Sequence, residues 1–513
     1  MGKLVAIVGS GCSGIAALWA LDTSTDHEVH LFEASSRLGG NTSSVTFEAP
    51  GGDLVAVDTG FIMMNTSTCP NFMAFLRHQG IPTPKVDMTF SVSRDQGTFE
   101  WAATSFRSIL SQRKNLFDSG IWKMLVDIIR FNEFAPDLLR SESEGEDDPL
   151  TRFNTKAATN EPAQWNIGEY LDKENYSQAF QDSYLLPMVA AFWRTSPNMC
   201  LQFPAITVIR FMYEHQLLNT LAKSSSWVSV PGASKGYIDA VLRAFPQSRI
   251  HIKSKVTALE PTEKGSIVLT ANGKDQEFDH VILAMHADQA LKILKPVATK
   301  EEIDILGGFQ TSRNVVVLHS DLTLMPKTRV TWSAWNYITE TPFPTTTKSQ
   351  NISQMCLTYC MNMVQGIPED RFGPVLVTLN PLNIPDPRLV QGIWEYAQPL
   401  YNAAATRSQG LLPSIQASRN ISYCGSWTRY GFFEDGFSSG LSVAIDHLGA
   451  HLPFGFVDAT YSRRRRPTLT IKNHLLRVVI LMIQITILLI ERVWSSLVSS
   501  LNRKTARRRK VAR

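Results

Sequence analysis

The pattern of apolar and polar residues divides the chain into stretches of different predicted structure. Near the N-terminus, the short apolar runs of residues 3–8 and 27–32 predict buried strands, and the helix-like run of residues 15–21 lies between them. The same strand pattern returns within residues 225–300 and again at Ile421. Because strands that alternate with helices form parallel sheets, we expect an α/β fold whose sheet domain is built from separate segments.

The remaining stretches predict a second, α+β substrate domain. Residues 66–224 lose the strand–helix alternation and carry aromatic residues at helical spacing, which predicts a helical cap with an apolar lining. Residues 301–414 are expected to complete this domain. Their strand candidates are residues 314–319, 330–338, 355–359 and 375–379. The sheet domain is predicted to comprise residues 1–65, 225–300 and 415–452.

A glycine-rich turn connects the first predicted strand to the first predicted helix. Gly9, Gly11 and Gly14 have the spacing of a dinucleotide-binding turn, and Glu33 ends the second strand nineteen residues after Gly14. In such turns the glycines allow a tight bend and a close approach to the pyrophosphate, while the acidic residue binds the ribose hydroxyls. The helix N-terminus then favours the phosphates. The sequence therefore predicts a dinucleotide site.

The residues that follow resemble a known flavoprotein continuation. Glu33-Ala-Ser-Ser-Arg-Leu-Gly-Gly-Asn-Thr42 is similar to the segment that leads to the flavin in FAD enzymes of the amine-oxidase superfamily. The resemblance implies FAD as cofactor and a Rossmann-type, glutathione-reductase-like FAD domain with an amine-oxidase-like substrate domain. The cofactor-binding residues expected on these grounds are Gly9, Gly11, Cys12, Ser13, Gly14, Glu33, Arg37, Gly40, Asn41, Thr42, Gly60, Val256, Gly425, Glu434, Gly436 and Phe437.

Further motifs resemble one subfamily of predicted FAD-binding oxidoreductases related to amine oxidases, some of which are fused to or encoded beside cyclopropane-fatty-acid synthases. Among them are Leu-Thr-Tyr359-Cys-Met-Asn362 and Gly-Phe-Phe-Glu-Asp-Gly436. The chain departs from the subfamily pattern at three positions near the expected pocket, which predicts a different substrate. They are the segment Phe192-Trp-Arg194 and the residues Cys360 and Phe433.

The predicted chemistry is hydride transfer, which needs geometry more than acid–base groups. Amine oxidases carry a lysine on a strand beneath the flavin, but residues 314–319 contain none, so the resemblance favours a substrate other than an amine. No cysteine or histidine spacing typical of a metal site is found in the sequence. Candidate residues for acid–base catalysis or substrate orientation are His319, Tyr337, Tyr359 and Asn362.

Charge separates a C-terminal tail from the rest of the chain. Residues 457–513 contain fourteen Lys and Arg and two acidic residues, a net charge of +12, so the other 456 residues carry −8. A net negative body does not favour nucleic-acid binding. The first strand begins within three residues of Met1, so we expect no signal peptide, and the six cysteines are expected to be reduced in the cytosol.

The tail, residues 463–513, predicts a membrane-associated helix. Its uncharged part, residues 478–490, would extend about 20 Å as a helix, less than the roughly 30 Å of a bilayer core. Arg477, Gln484 and Glu491 form a polar stripe that favours a helix lying in the interface, although a single span stays open. The flanking basic clusters suit an anionic cytosolic leaflet, for example that of the endoplasmic reticulum or another internal membrane.

These features favour a membrane-associated FAD oxidoreductase acting on a lipophilic small molecule, such as an acyl chain or a hydrophobic metabolite. Three alternatives remain open at the level of sequence. The same fold could support a redox-neutral double-bond isomerase, a non-catalytic flavoprotein partner of a lipid-modifying enzyme, or a true amine oxidase.

Overall fold

The computed structural model describes residues 2–104, 106–109, 111–140, 165–219, 226–230, 235–340, 355–458 and 467–486. The strands are β1 (Leu4–Val8), β2 (Glu28–Phe32), β3 (Ser44–Glu48), β4 (Leu54–Asp58), β5 (Met64–Asn65), β6 (Phe90–Arg94), β7 (Phe99–Ala102), β8 (Trp227–Val228), β9 (Ile250–His251), β10 (Val256–Pro261), β11 (Ile267–Ala271), β12 (Lys274–Phe278), β13 (His280–Leu283), β14 (Thr311–His319), β15 (Trp335–Thr339), β16 (Cys356–Cys360), β17 (Leu376–Leu379), β18 (Val390–Pro399) and β19 (Ile421–Tyr423).

The helices follow in the same order. They are α1 (Cys12–Ser24), α2 (Pro70–His78), α3 (Phe106–Ile109), α4 (Ser119–Phe134), α5 (Asp137–Arg140), α6 (Ile167–Lys173), α7 (Gln178–Phe180), α8 (Leu186–Trp193), α9 (Pro197–Cys200), α10 (Ala205–Glu214), α11 (Lys235–Leu242), α12 (Ala287–Leu294), α13 (Lys300–Leu306), α14 (Met361–Val364), α15 (Glu369–Phe372), α16 (Ala403–Leu411), α17 (Phe433–Leu448) and α18 (residues 471–486).

The first domain is organised around a parallel sheet with the strand order β19-β13-β1-β2-β9. Strand β1 is central and nearly fully buried, which explains its uninterrupted apolar sequence. Helix α1 connects β1 to β2 and packs against α17 so closely that a Cβ on Gly440 would lie 2.0 Å from the carbonyl oxygen of Ser13. The predicted α/β fold with a parallel sheet is confirmed.

The sheet draws strands from all three segments predicted for this domain, namely residues 1–65, 225–300 and 415–452. The chain therefore leaves the domain and returns to it twice. Strands β10, β11 and β12, which the sequence also indicates in part, form a separate antiparallel sheet. The limits of the domains themselves stay predictions.

The second domain contains a seven-stranded sheet with the order β18-β14-β17-β16-β15-β6-β7. Strands β6 and β7 lie within residues 66–224, where the sequence predicted helices alone, so that prediction was incomplete. Strand β6 is hard to recognise because Ser91 and Ser93 are buried: their hydroxyls bind Asn336 and Glu100 inside the domain. Strand β18 was also missed. Its alternation of exposed and less exposed residues places one face toward solvent.

Helix α18 lies on the second domain, against α4 and α5. The guanidinium of Arg477 donates to Asp137 at 2.8 Å and to the Glu133 carbonyl at 2.6 Å, and Asn473 donates to the Glu133 carboxylate at 3.0 Å. Within the described part of the chain, no helix has both the length and the apolar character needed to cross a membrane. The predicted single span is therefore unsupported in these residues, whereas a helix lying in the interface stays a prediction. Residues 463–466 and 487–513 of the predicted tail lie outside the described ranges.

Candidate active site

A cavity of about 960 Å³ begins at the carboxyl ends of β1 and β2 and reaches residues of the seven-stranded sheet. This volume lies at the upper end of the range for small-molecule pockets. One part is lined by the glycine-rich turn and Glu33, and another by aromatic side chains from the second domain. The cavity therefore joins the two domains that the sequence indicated.

Each glycine of the turn has its own steric role. Gly9 has a φ of +104°, and a Cβ there would lie 2.4 Å from the carbonyl oxygen of Ala284. A Cβ on Gly14 would lie 2.0 Å from the Gly9 carbonyl oxygen, whereas a Cβ on Gly11 would have no atom within 4 Å. Gly9 and Gly14 thus allow the turn to fold. Gly11 instead leaves open space in the cavity at the N-terminus of α1.

Glu33 lies at the end of β2 with its carboxylate in this part of the cavity. It accepts hydrogen bonds from the backbone N–H and hydroxyl of Ser10, at 3.1 and 2.6 Å, and from the N–H of Ser35 at 2.8 Å. Burial works to raise the pKa of Glu33, but these hydrogen bonds hold it below its ordinary value. The carboxylate is therefore ionised and able to accept the hydroxyl hydrogens of a ribose.

The loop after Glu33 folds back over the turn. Gly40 has a φ of +56°, and a Cβ there would lie 3.2 Å from the Cα of Gly11, so the two glycines face each other. Asn41 donates to the carbonyl of Ala397 at 2.8 Å, and a Cβ on Gly60 would lie 1.7 Å from the Asn41 carbonyl oxygen. Turn, loop and Gly60 thus form one wall of the cavity.

The N-terminus of α17 also faces the cavity, through Phe432 and Phe433. Glu434 in its first turn has another role: its buried carboxyl group accepts from the N–H groups of Asn71 and Phe72, at 2.9 and 3.1 Å. Burial, aided by the nearby charge of Asp435, raises the pKa of Glu434 to about 7. Glu434 therefore joins the N-terminus of α2 to α17, and its contact with the cofactor stays a prediction.

The inner part of the cavity is aromatic. Phe211 stacks on Phe432 with ring centroids 4.8 Å apart, and Trp335 lies 4.9 Å from Phe192 and 5.1 Å from Tyr359. All five rings line the cavity. They come from α8, α10, β15, β16 and the residue before α17, so the wall exists only after the second domain has folded.

Arg194 introduces a positive charge into this aromatic wall. It follows the last residue of α8 with φ 51° and ψ 45°, a left-handed conformation that costs a non-glycine residue roughly 1–2 kcal/mol. Its Nη2 donates to the Gly60 carbonyl at 2.5 Å, and its guanidinium is hydrogen-bonded to Tyr359. Burial raises the pKa of Tyr359, and the adjacent guanidinium opposes that effect.

Comparison with known proteins identifies the family. The profile described as "Flavin containing amine oxidoreductase" matches residues 12–446. The chain belongs to this family. FAD is therefore its cofactor and the protein is an oxidoreductase, while the association with cyclopropane-fatty-acid synthases is not shown. A search of the curated proteins gave no match.

Solved structures share the fold at low sequence identity. A cyclohexylamine oxidase from Brevibacterium oxydans is 14% identical with a TM-score of 0.62, and a CLA-producing fatty acid isomerase from P. acnes is 13% identical with a TM-score of 0.60. A putative protoporphyrinogen oxidase from Exiguobacterium sp. is 13% identical with a TM-score of 0.57. Each comparison covers 87% of this chain and 98% of the other.

The cavity fits the FAD of this family. The open space at Gly11, the opposed Gly40, the ionised Glu33 and the start of α1, which lines the cavity, together form a cradle for the ribose and pyrophosphate. The predicted cofactor residues that line the cavity are Gly9, Gly11, Cys12, Ser13, Glu33, Gly40, Asn41, Thr42, Gly60, Val256, Gly425 and Glu434.

The other predicted cofactor residues have different positions. Gly14 supports the turn, and a Cβ on Gly436 would lie 2.6 Å from the sulfur of Cys12, so this glycine allows α17 to approach α1. Phe437 packs against Phe72 and Phe75 in the core. Arg37 is exposed and is not among the described residues that line the cavity.

Of the four candidate catalytic residues, Tyr359 alone is among the described residues that line the cavity. His319 is buried in β14, where Nε2 is 2.7 Å from the Thr378 hydroxyl and Nδ1 accepts from the N–H of Asp321. Asn362 donates to the carbonyls of Ile367 and Gly373. These two residues hold the second domain together, which does not fit their predicted catalytic role.

Tyr337 has a different environment. It is buried within the second domain, and its hydroxyl has no hydrogen-bond partner among the described residues. Burial raises its pKa well above the ordinary value, so the phenol stays protonated. The predicted role in orienting a substrate does not fit this position away from the described cavity lining.

Some residues of the cavity carry no signal in the sequence, and His215 is one of them. His215 lies against Phe211 with ring centroids 4.0 Å apart, and its Nε2 is 3.1 Å from the Thr68 hydroxyl. One feature of the sequence did point to this part of the cavity. Arg194 and Phe433, which depart from the subfamily pattern, both line it. Phe433 stacks on Phe61 at 3.9 Å. The third departure, Cys360, instead packs with Met325 and Leu376.

Proposed function

We propose that this protein is a membrane-associated FAD-dependent oxidoreductase that takes a hydride from a lipophilic substrate, such as an acyl chain or a hydrophobic metabolite. The aromatic wall of the cavity is the observation that supports this proposal. Phe192, Phe211 and Phe432 offer apolar faces for a hydrocarbon.

The contribution of the chain is positioning and exclusion of water. FAD, when bound, supplies a two-electron acceptor for the hydride. The aromatic side chains would hold a substrate C–H bond against it and keep solvent out of the inner cavity. The N-terminus of α17 directs its partial positive charge toward the cavity, where it favours negative charge developing on reduction.

Anaerobic reduction of the bound flavin tests this function. Purified, flavin-loaded protein would be mixed separately with a lipid extract and with a panel of amines, and the flavin absorption band followed. Bleaching by the lipid extract alone is expected. Bleaching by amines alone would contradict the proposal and indicate a true amine oxidase.

If neither mixture bleaches the flavin, product analysis decides between the remaining alternatives. A lipid converted without net reduction would identify a redox-neutral isomerase. An unchanged lipid pool, together with lost activity of a lipid-modifying enzyme when this protein is deleted, would identify a non-catalytic partner. Either result would replace the oxidoreductase proposal.

We also propose attachment to the cytosolic face of an internal membrane through the tail. In α18 the polar residues Asn473 and Arg477 face the protein, whereas Ile471, Leu475 and Met482 are 80, 64 and 63% exposed. An apolar face turned outward suits the boundary between headgroups and acyl chains. Lipophilic substrates would then reach the protein from the bilayer, where a lipid-modifying partner would also act.

Charges on the outward face should release the protein from membranes. Leu475→Glu combined with Met482→Glu is expected to move the flavoprotein to the soluble fraction, because each carboxylate would have to leave water for the membrane interface. Ile384→Glu combined with Leu389→Glu is the matched control, since both residues are exposed on the second domain. Unchanged pelleting of the tail variant would contradict attachment through α18.

A further inference from the structure

No acidic side chain in the described part of the chain pairs with the guanidinium of Arg194. Two other cations of the cavity lining have acidic partners: Arg313 lies 2.6 Å from Glu395, and Lys292 lies 3.5 Å from Asp288. Within the described ranges, Arg194 forms no ion pair. Its hydrogen bonds are to the neutral Gly60 carbonyl and to Tyr359. Lys255, also in the cavity lining, is exposed to solvent beside Val256.

The surroundings of Arg194 leave donors available for a ligand. A guanidinium carries five N–H groups in a planar fork, and the two neutral partners do not use all of them. The left-handed backbone of Arg194 and the bond to Gly60 together fix where the fork lies. A planar fork of this kind matches the two oxygens of a carboxylate. A carboxylate would use the remaining N–H groups and pair with a charge that the described residues leave without an acidic partner.

We propose that Arg194 is the carboxylate-binding residue of the cavity and that the substrate is a lipophilic carboxylic acid whose hydrocarbon chain lies along the aromatic wall. This rests on the proposed function, because it takes the cavity as the substrate site and names the substrate class. The same charge disfavours a protonated amine at this position.

Binding of three ten-carbon probes tests the proposal without turnover. Decanoate, decan-1-ol and decylamine share a chain and differ in charge, and their binding to the flavin-loaded protein can be followed by calorimetry and by perturbation of the flavin spectrum. We expect decanoate to bind at least about tenfold more tightly than decan-1-ol, since hydrogen bonds to charged groups contribute about 1.5–3 kcal/mol. Decylamine should bind most weakly.

Substitution of Arg194 then assigns the effect to one residue. Arg194→Gln should weaken decanoate binding roughly ten- to hundredfold and leave decan-1-ol within about twofold. Arg194→Lys should be intermediate, because it retains the charge and loses the fork. Arg388→Gln, at an arginine that is 87% exposed and paired with Asp386, is the control and should change neither affinity.

The outcomes distinguish the proposed carboxylate site at Arg194 from the proposed oxidoreductase function. Equal decanoate affinity in wild type and Arg194→Gln would overturn the carboxylate site. Loss of flavin in Arg194→Gln with an unchanged ratio of acid to alcohol affinity would also overturn it, since Arg194 would then act on the cofactor. Arg194-dependent decanoate binding, with no lipophilic acid able to reduce the bound flavin, would retain the carboxylate site and reject the oxidoreductase proposal.

Discussion

The two ends of the cavity are built in different ways. The glycine turn, Glu33 and the following loop lie within Gly9–Thr42, one continuous stretch whose geometry depends on local backbone conformation. The aromatic end takes residues from five separated elements, from Phe192 to Phe432. A local site can be recognised from spacing alone. A site assembled from distant elements changes with any one of them, which is how a shared fold supports different substrates.

The largest effects are expected from substitution of two glycines of the turn, which should differ in their consequence for thermal stability. Gly14→Val should lose flavin and unfold at a lower temperature, because its Cβ would lie 2.0 Å from the Gly9 carbonyl oxygen. Gly11→Val should lose flavin while the apoprotein keeps its thermal stability, because a Cβ there meets no protein atom within 4 Å. Flavin absorbance measures the flavin content of each variant, and calorimetry of the apoproteins measures their thermal stability. Full flavin content in Gly11→Val would show that the cradle is misplaced.

Removal of the Glu33 carboxylate should weaken FAD binding without altering the aromatic end. Glu33→Ala is expected to lower affinity about hundredfold, on the scale of about 3 kcal/mol for hydrogen bonds to a charged group. Glu28→Ala is the matched control, because Glu28 lies on the same strand and its side chain is 54% exposed. Fluorescence titration of the apoproteins with FAD gives the affinity of each variant relative to the wild type. Equal affinities would remove Glu33 from the cofactor site.

Glu434 provides a pH-dependent test of the junction between α2 and α17. Its folded-state pKa is raised to about 7, so the folded protein holds a proton that the unfolded chain releases above its ordinary pKa. The stabilisation from this group is complete below that ordinary value and is lost as the pH rises through 7. Its size is roughly 3 kcal/mol at 1.36 kcal/mol per pKa unit.

Denaturant unfolding at pH 5 and pH 8 measures this contribution. Glu434→Gln should unfold with a smaller difference between the two pH values than the wild type, whereas Asp446→Asn, at an exposed residue of the same helix, should not. An identical pH dependence in Glu434→Gln and wild type would assign the proton to another group.

The smallest expected effect lies at the aromatic end. Phe432→Leu should lower the affinity for a ten-carbon ligand about two- to tenfold, because an aromatic pair contributes about 0.5–1.5 kcal/mol beyond its buried area. Flavin content should not change. Phe117→Leu, at a phenylalanine that is 90% exposed, is the control. A loss of flavin in Phe432→Leu without a change in ligand affinity would show that the two ends are not separable at this residue.

The sequence by itself determined the parallel sheet, the glycine turn and the position of Glu33. Each of these depends on backbone conformation or on residues close together in the chain, so spacing is enough to predict them. The predicted acid–base candidate His319 shows the limit of that approach. Its residue type suggested chemistry, but the register of β14 with β17 places it beside Thr378 in the interior.

Only the tertiary structure decided which residues meet at the aromatic end and which face of α18 is turned outward. Arg194 and Tyr359 are separated by 165 positions and meet because α8 packs beside the seven-stranded sheet. Arg477 of the polar stripe faces Glu133 and Asp137, whereas the sequence alone predicted that the stripe favours a helix lying in a membrane interface. Both outcomes depend on packing between distant segments, and the free energy of such contacts is not encoded in the spacing of either segment alone.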